Sequence, residues 1–357
     1  MLRIGLLTSG GDCQGLNAAM RGVAKALYEA FDEVEIHGIL DGYRGLIQDR
    51  IRLMKPEDFS GILTLGGTIL GTSRCPFKLM RVIGEDGVDK VEAMKNTIKK
   101  RKLDCLVILG GNGTHKTANL LRAEGVNVVT LPKTIDNDLW GTDMTFGFQS
   151  AVDIAANVID CIHTTATSHG RVFIVEVMGH KVGWLTLHAG IAAGADIVLL
   201  PEIPYDIEKV GSAIERRRKQ GKPFSILAVA EGALSKREAK MSKKELAAAR
   251  QKEGLPSIAY RLVQELEPYV GGESRVGVPG HFQRGGAPCA YDRMLATMLG
   301  AAAARLIREG KYGYMCAIVN NEIVPVPLEE VAGKLKKVPV GCPAVQMARE
   351  IGVSFGD

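Results

Sequence analysis

Residues 103–114 read Leu103-Asp104-Cys105-Leu106-Val107-Ile108-Leu109-Gly110-Gly111-Asn112-Gly113-Thr114. A short apolar run of this kind, ending in glycines, reads as a buried strand. A helical pattern follows it, expected from about residue 115 to 124. Working outward, the same alternation recurs. Residues 3–7 read as a strand and 17–31 as the helix after it. Residues 34–40, 127–131, 171–177, 197–200 and 225–230 read as further strands. Strands interleaved with helices of this length predict parallel sheets with helices on both faces, an α/β fold.

Glycine pairs stand at Ser9-Gly10-Gly11-Asp12, Leu65-Gly66-Gly67-Thr68 and Gly110-Gly111, each read as the end of an apolar strand. In open parallel sheets, ligands bind beyond the carboxyl ends of the strands, so these loops are expected to face a site. Residues 236–253 are rich in Lys, Arg, Glu and Ala, and read as an exposed helix or flap with a solvated charged face and no chemistry.

The 357 residues suit two domains, and 46% hydrophobic with 24% charged residues is ordinary for a globular chain. A formal charge of +5 is too small for a polybasic nucleic-acid or membrane surface, but leaves an anionic small molecule as an easy partner. Seven scattered cysteines without a CxxC pair indicate neither a zinc site nor a disulfide framework. The apolar stretch at residues 4–8 is too short for a signal-peptide core, and no run of 18 apolar residues suggests a membrane span. The expected setting is the reducing cytoplasm, with no nucleic-acid and no membrane partner.

Three motifs point to phosphate chemistry. Gly110-Gly111-Asn112-Gly113-Thr114 lets backbone amides approach a polyphosphate, and the following helix adds the positive end of its dipole. It is neither a Walker A loop nor a Rossmann fingerprint. Pro132-Lys133-Thr134-Ile135-Asp136-Asn137-Asp138 gathers a cation, a hydroxyl and two carboxylates; one carboxylate could take a proton from an attacking hydroxyl while the cation offsets donor charge. Standing alone, it also fits an Asx-rich turn. Gly280-His281-Phe282-Gln283-Arg284-Gly285-Gly286, with Arg275 before it, could clamp a phosphate monoester or form a structural loop.

Together with Gly15-Leu16-Asn17-Ala18, Val175-Glu176-Val177-Met178-Gly179 and Glu231, these motifs resemble those of the 6-phosphofructokinase family, in family order and spacing from residue 2 to about 325. The resemblance implies two Rossmann-like α/β domains with a central mostly parallel sheet, and an active site in the cleft between them. The donor domain is expected at residues 1–147 and again at 283–333, the sugar-phosphate domain at 148–282, and a C-terminal segment on the second domain at 334–357. Transfer of a phosphoryl group from ATP to the 1-hydroxyl of fructose 6-phosphate, with Mg2+, is the implied reaction. Asp136 would be the general base. Gly10, Arg74, Cys75, Gly111, Asn112, Gly113 and Thr114 would line the donor site. Lys133, Thr134, Asp136, Met178, Gly179, His180 and Glu231 would serve the substrates, and Arg171, Arg275, His281 and Arg284 would grip the 6-phosphate. In the family, the residues matching Arg171 and Arg275 come from a neighbouring subunit, which implies a homo-oligomer, a dimer or tetramer.

The chain departs from the family pattern at two positions. Asn112 stands where an acidic residue usually supports the magnesium, so a weaker protein-side hold is expected, with the donor's phosphates supplying most of the grip. His180 stands where an Arg is typical, either as part of a repacked loop or with consequences for transition-state stabilisation or acceptor choice. Donor choice turns on Gly113 and Lys133. Pyrophosphate users typically carry Asp and Lys at these positions; the Gly leaves room for a nucleotide, and steric exclusion is the harder discriminator, so ATP is the expected donor. The alternatives are a pyrophosphate-dependent phosphotransferase, a weakly active or regulatory sugar-phosphate-binding subunit, and a different ketose phosphate as acceptor.

Overall fold

A computed structural model describes residues 1–85 and 87–357. The strands among them are β1 (Leu2–Thr8), β2 (Val34–Ile39), β3 (Ile51–Met54), β4 (Cys105–Gly110), β5 (Val128–Pro132), β6 (Val172–Val177), β7 (Ile197–Leu199), β8 (Ser225–Ala230), β9 (Ser274–Gly277), β10 (Tyr314–Val319) and β11 (Glu322–Pro327). The chain divides into two compact units, one of Met1–Ser150 with Arg284–Lys336, the other of Ala151–Gln283 with Lys337–Asp357. The class is α/β, as the alternating pattern led us to expect.

The first unit holds a seven-stranded sheet in the order β11-β10-β5-β4-β1-β2-β3. Its five inner strands run parallel, and only the edges β3 and β11 are antiparallel to their neighbours. Every residue of β4 and β5 is buried, which is why these stretches show no polar alternation. Leu106, Ile108 and Val128 join Met94, Leu121 and Met315 in one apolar cluster. Truncating a residue such as Ile108 to alanine would cost about 2–5 kcal/mol through lost burial and a residual cavity.

The second unit holds a four-stranded, all-parallel sheet in the order β7-β8-β6-β9. The strand β8 is buried along its whole length, and its Leu227 and Val229 pack with Ile174, Leu199 and Leu262.

Two expectations are corrected. The Gly66–Gly67 pair follows no strand; it lies in a loop, where Asn17 Nδ2 donates to the carbonyls of Leu65 and Gly66 at 3.1 and 3.2 Å. The helix after β4 begins at Asn112 rather than near 115, so Gly113 and Thr114 form its first turn. Glycine is a poor helix former, and contacts from outside hold this start in place. Tyr43 Oη donates to the Thr114 carbonyl at 2.9 Å, and Thr114 Oγ1 to the Ser9 carbonyl at 3.3 Å.

Candidate functional site

In the first unit the parallel strands β1, β4 and β5 end side by side, and their loops gather the expected donor residues. After β1, Gly10 takes φ +87, a left-handed value that favours glycine. Its amide donates to the Ser73 carbonyl at 3.1 Å, and its carbonyl accepts from Thr72 Oγ1 at 2.7 Å. That ties residues 72–75 to the glycine loop. Cys75 is half-buried beside Ser73, with 3.7 Å between Sγ and Oγ. Arg74 is exposed, and no carboxylate pairs with it among the described residues.

After β4, the amides of Asn112, Gly113 and Thr114 have no acceptor inside their own helix, because they form its first turn. With Gly111 just before, they are donors concentrated at the positive end of the helix dipole. A Cβ at Gly113 would meet no atom of the described residues within 4 Å outside its own turn, so the space beside it is open. Behind it, His115 is fully buried and its Nδ1 donates to the Gly111 carbonyl at 2.9 Å. Burial pushes its pKa down to about 4, so it is neutral at pH 7.

Lys133, at the end of β5, is 97% buried and donates through Nζ to the Gly11 carbonyl. Burial pulls its pKa below the usual lysine range. Arg284 enters the same cluster: its Nη1 donates to the Asp12 carbonyl at 2.9 Å, and its Nε is buried without a hydrogen-bond partner among the described residues. The structure therefore brings Gly10, Gly111, Lys133 and Arg284 together.

The segment after Lys133 alternates in burial. Ile135, Asn137 and Leu139 are buried, while Thr134, Asp136 and Asp138 are partly exposed. Thr134, Asp136 and Asp138 thus share the partly exposed side of the segment, with Asp136 Oδ1 itself buried, and the Thr134 hydroxyl accepts from the Asp136 amide at 3.0 Å. Asn137 takes φ +50, and its Oδ1 accepts from the Thr145 amide at 3.1 Å. Thr145 Oγ1 in turn donates to the Thr134 carbonyl at 2.8 Å.

In the second unit, the adjacent parallel strands β6 and β8 end together. Their following loops join where the His180 amide donates to Glu231 Oε1 at 2.7 Å. Met178 is fixed by its amide, which donates to Gln283 Oε1 at 3.2 Å. A Cβ on Gly232 would overlap the His180 carbonyl oxygen, so a side chain there would push this loop away. A pocket of about 480 Å³ opens here, lined by His180, Glu231, Arg250, Ser257 and Arg261 among others.

The solvated face expected at residues 236–253 is found in the helix but not in the segment before it. The helix Lys243–Glu253 buries none of its side chains, but Glu238 before it is 97% buried. Arg261 grips both its oxygens, Nη1 to Oε1 at 2.5 Å and Nη2 to Oε2 at 2.9 Å, and Arg250 Nε adds a bond at 3.0 Å. Burial alone would raise the Glu238 pKa, but the hydrogen bonds from Arg261 and Arg250 outweigh it and hold the pKa down at about 2.

Of the residues expected at the sugar phosphate, Arg171 and Arg275 come together at the β6–β9 edge. There both contact Glu273 Oε2, at 2.8 and 2.6 Å. His281 is exposed on the turn Gly280–Arg284. Among the described residues, no group of three or more His, Cys, Asp or Glu side chains gathers as a metal site. Asn112 uses its Nδ2 on the Lys334 carbonyl at 2.5 Å, which leaves Oδ1 as its remaining polar atom.

Glu238, Glu273 and Lys336 escape sequence reading. Each lies in a stretch of ordinary surface composition, and its importance comes from partners distant in sequence.

The phosphofructokinase family model matches residues 3–307. The chain is 56% identical to the ATP-dependent 6-phosphofructokinase of Spirochaeta thermophila, covering 99% of this chain and 97% of that one. It is 48% identical to the ATP-dependent 6-phosphofructokinase of Propionibacterium freudenreichii over 100% of both chains. Among solved structures it resembles the phosphofructokinase of Pichia pastoris in the T-state, with a TM-score of 0.77 and 33% identity over 92% of this chain. It spans only 35% of that longer chain.

Proposed function

Since this chain belongs to the phosphofructokinase family, we propose that it is an ATP-dependent 6-phosphofructokinase of glycolysis, acting in the cytoplasm. The observation that carries this reading is the pairing, at the ends of the adjacent strands β4 and β5, of an open glycine-bearing helix start with the Lys133–Asp138 loop.

Phosphoryl transfer asks the protein for position and charge stabilisation rather than covalent chemistry. The amides of Asn112, Gly113 and Thr114 and the helix dipole receive the donor's phosphates, and Arg74 supplies an exposed cation to the donor site. The 1-hydroxyl oxygen of fructose 6-phosphate forms the new bond to the γ-phosphorus. Its proton passes to the Asp136 carboxylate, and the bridging oxygen leaves with its electron pair as ADP. Glu231 and residues 178–180 hold the sugar. The 6-phosphate is assigned to His281 and Arg284, with Arg171 and Arg275 supplied by a neighbouring copy in a homo-oligomer. Glu273 holds those two guanidinium groups side by side on one carboxylate oxygen.

Mg2+ commonly rides on substrate phosphates with few protein ligands, and the donor set here fits that arrangement: one neutral amide oxygen, Asn112 Oδ1, and no carboxylate cage among the described residues. When bound, Mg2+ would supply positive charge to offset that of the donor's phosphates.

Lys133 is the residue shared with pyrophosphate users, the alternative donor class, and its ammonium gives one of its three protons to the Gly11 carbonyl. The open space at Gly113 leaves room for a nucleotide's inner phosphate. Phosphorus NMR of ATP, Mg2+ and fructose 6-phosphate tests the reading. A new phosphomonoester at the sugar's C1 is expected as ATP becomes ADP; ADP and orthophosphate without that ester would overturn it.

A further inference from the structure

Residues 334–336 run as an extended stretch across the first unit, touching two loops that the proposed reaction uses. Leu335 bridges Leu139 in antiparallel fashion, and the Lys336 amide donates to the Asp138 carbonyl at 2.9 Å. The Lys336 ammonium then donates three hydrogen bonds, to Asn137 Oδ1 at 2.9 Å, the Thr142 carbonyl at 2.8 Å and the Asp143 carbonyl at 2.9 Å. An ammonium has three protons to give, so each finds an acceptor. Two residues earlier, the Lys334 carbonyl accepts from Asn112 Nδ2 at 2.5 Å.

We propose that Lys336 is a positioning residue: it locks the turn that carries Asp136 and couples that turn, through Lys334, to the helix start at Asn112. The inference rests on the proposed reaction. Asn137, between the two carboxylates, sits at φ +50, where a residue other than glycine is held only by its surroundings. Its Oδ1 receives both the Thr145 amide and the Lys336 ammonium. Removing the ammonium takes a donor from three acceptors of residues 137–143, Asn137 Oδ1 among them, and the backbone that follows Asp136 loses its outer support. The bonds to Lys334 and Lys336 come from one short strand, so movement of that strand shifts the donor loop and the base loop together.

Burial pulls the Lys336 pKa down to about 8, while Asp143 and Asp138, the carboxylates facing it, act to hold it up. Loss of its proton removes one of the three donors, so the alkaline side of the rate profile reports on this group.

Three forms are compared: wild type, Lys336→Met and Lys336→Arg. Turnover by the wild type decides the proposed reaction independently. For the positioning role, Lys336→Met should lose about 10²-fold in kcat, as expected for a small misplacement of a reacting group, with the KM for fructose 6-phosphate nearly unchanged. Lys336→Arg should recover most of the rate and lack the alkaline limb, because a guanidinium does not titrate there. Backbone amide exchange across residues 134–145 gives a readout free of activity and should be faster in Lys336→Met than in Lys336→Arg. Wild-type kcat in Lys336→Met would overturn the inference, as would unchanged exchange across 134–145. Should Lys336→Met fail to fold, an alkaline limb retained in Lys336→Arg would overturn it.

Discussion

The backbone amide of His180 donates to the carboxylate of Glu231 at 2.7 Å. One oxygen of Glu231 is therefore spent on holding the 178–180 loop, and His180 is kept at φ +50. Glu231 then has two tasks, fixing the loop and binding the sugar. A hydrogen bond to a charged group is worth about 1.5–3 kcal/mol. Glu231→Ala should accordingly raise the KM for fructose 6-phosphate by about 10–150-fold, with a smaller change in the KM for ATP. Steady-state kinetics with each substrate varied in turn checks this, and equal changes in both KM values would contradict it.

Asp136 sits on the accessible side of its turn with its amide anchored by Thr134. As general base it should contribute about 10²–10⁴-fold. Asp136→Ser is expected to lower kcat by that range while fructose 6-phosphate still binds, measured by calorimetry. A variant that keeps most of its rate would remove Asp136 from the base role.

Glu238 carries a prediction about acid. Its folded pKa is held at about 2, below the ordinary glutamate value of about 4.3 in the unfolded chain. The stabilisation from this group is thus complete above about pH 4.3 and fades as pH falls from there through 2. Glu238→Gln takes from the buried Arg261 its nearest counter-charge, leaving Glu253 and Glu265 at 3.6 and 3.9 Å, a loss of up to about 3–5 kcal/mol at pH 7. The stability gap between wild type and variant, from urea unfolding, should narrow between pH 7 and pH 3.5. A gap of constant size would show that the ion cluster does not set acid stability.

Much of the architecture was legible in the residues, because the inner strands are buried on both faces. Cys105–Gly110 and Ser225–Ala230 carry unbroken apolar runs for that reason. The edges were less legible. β3 and β9 have only four residues each, β9 carries Arg275, and β11 contains Pro325 and Pro327. The pair Asn320-Asn321, both at positive φ, turns β10 into β11 and was a usable hairpin signal. The early start of the helix at Asn112 was hidden by Gly113, since its support comes from Tyr43 and Ser9. Lys336 and Glu238 lay in charge-rich stretches, and nothing local marks one charged side chain for burial when its partners stand at 137–143 or at 261.

The space beside Gly113 bears on donor choice, since a Cβ there would meet no atom of the described residues within 4 Å outside its own turn. Gly113→Asp should fold normally yet place a carboxylate where a nucleotide's inner phosphate would lie. The decisive measurement is the initial rate of fructose 1,6-bisphosphate formation with Mg2+ and either ATP or pyrophosphate, for wild type and Gly113→Asp. The proposed function requires wild-type turnover with ATP, little or none with pyrophosphate, and loss of the ATP reaction in the variant. Turnover with pyrophosphate alone, or with neither donor, would contradict it.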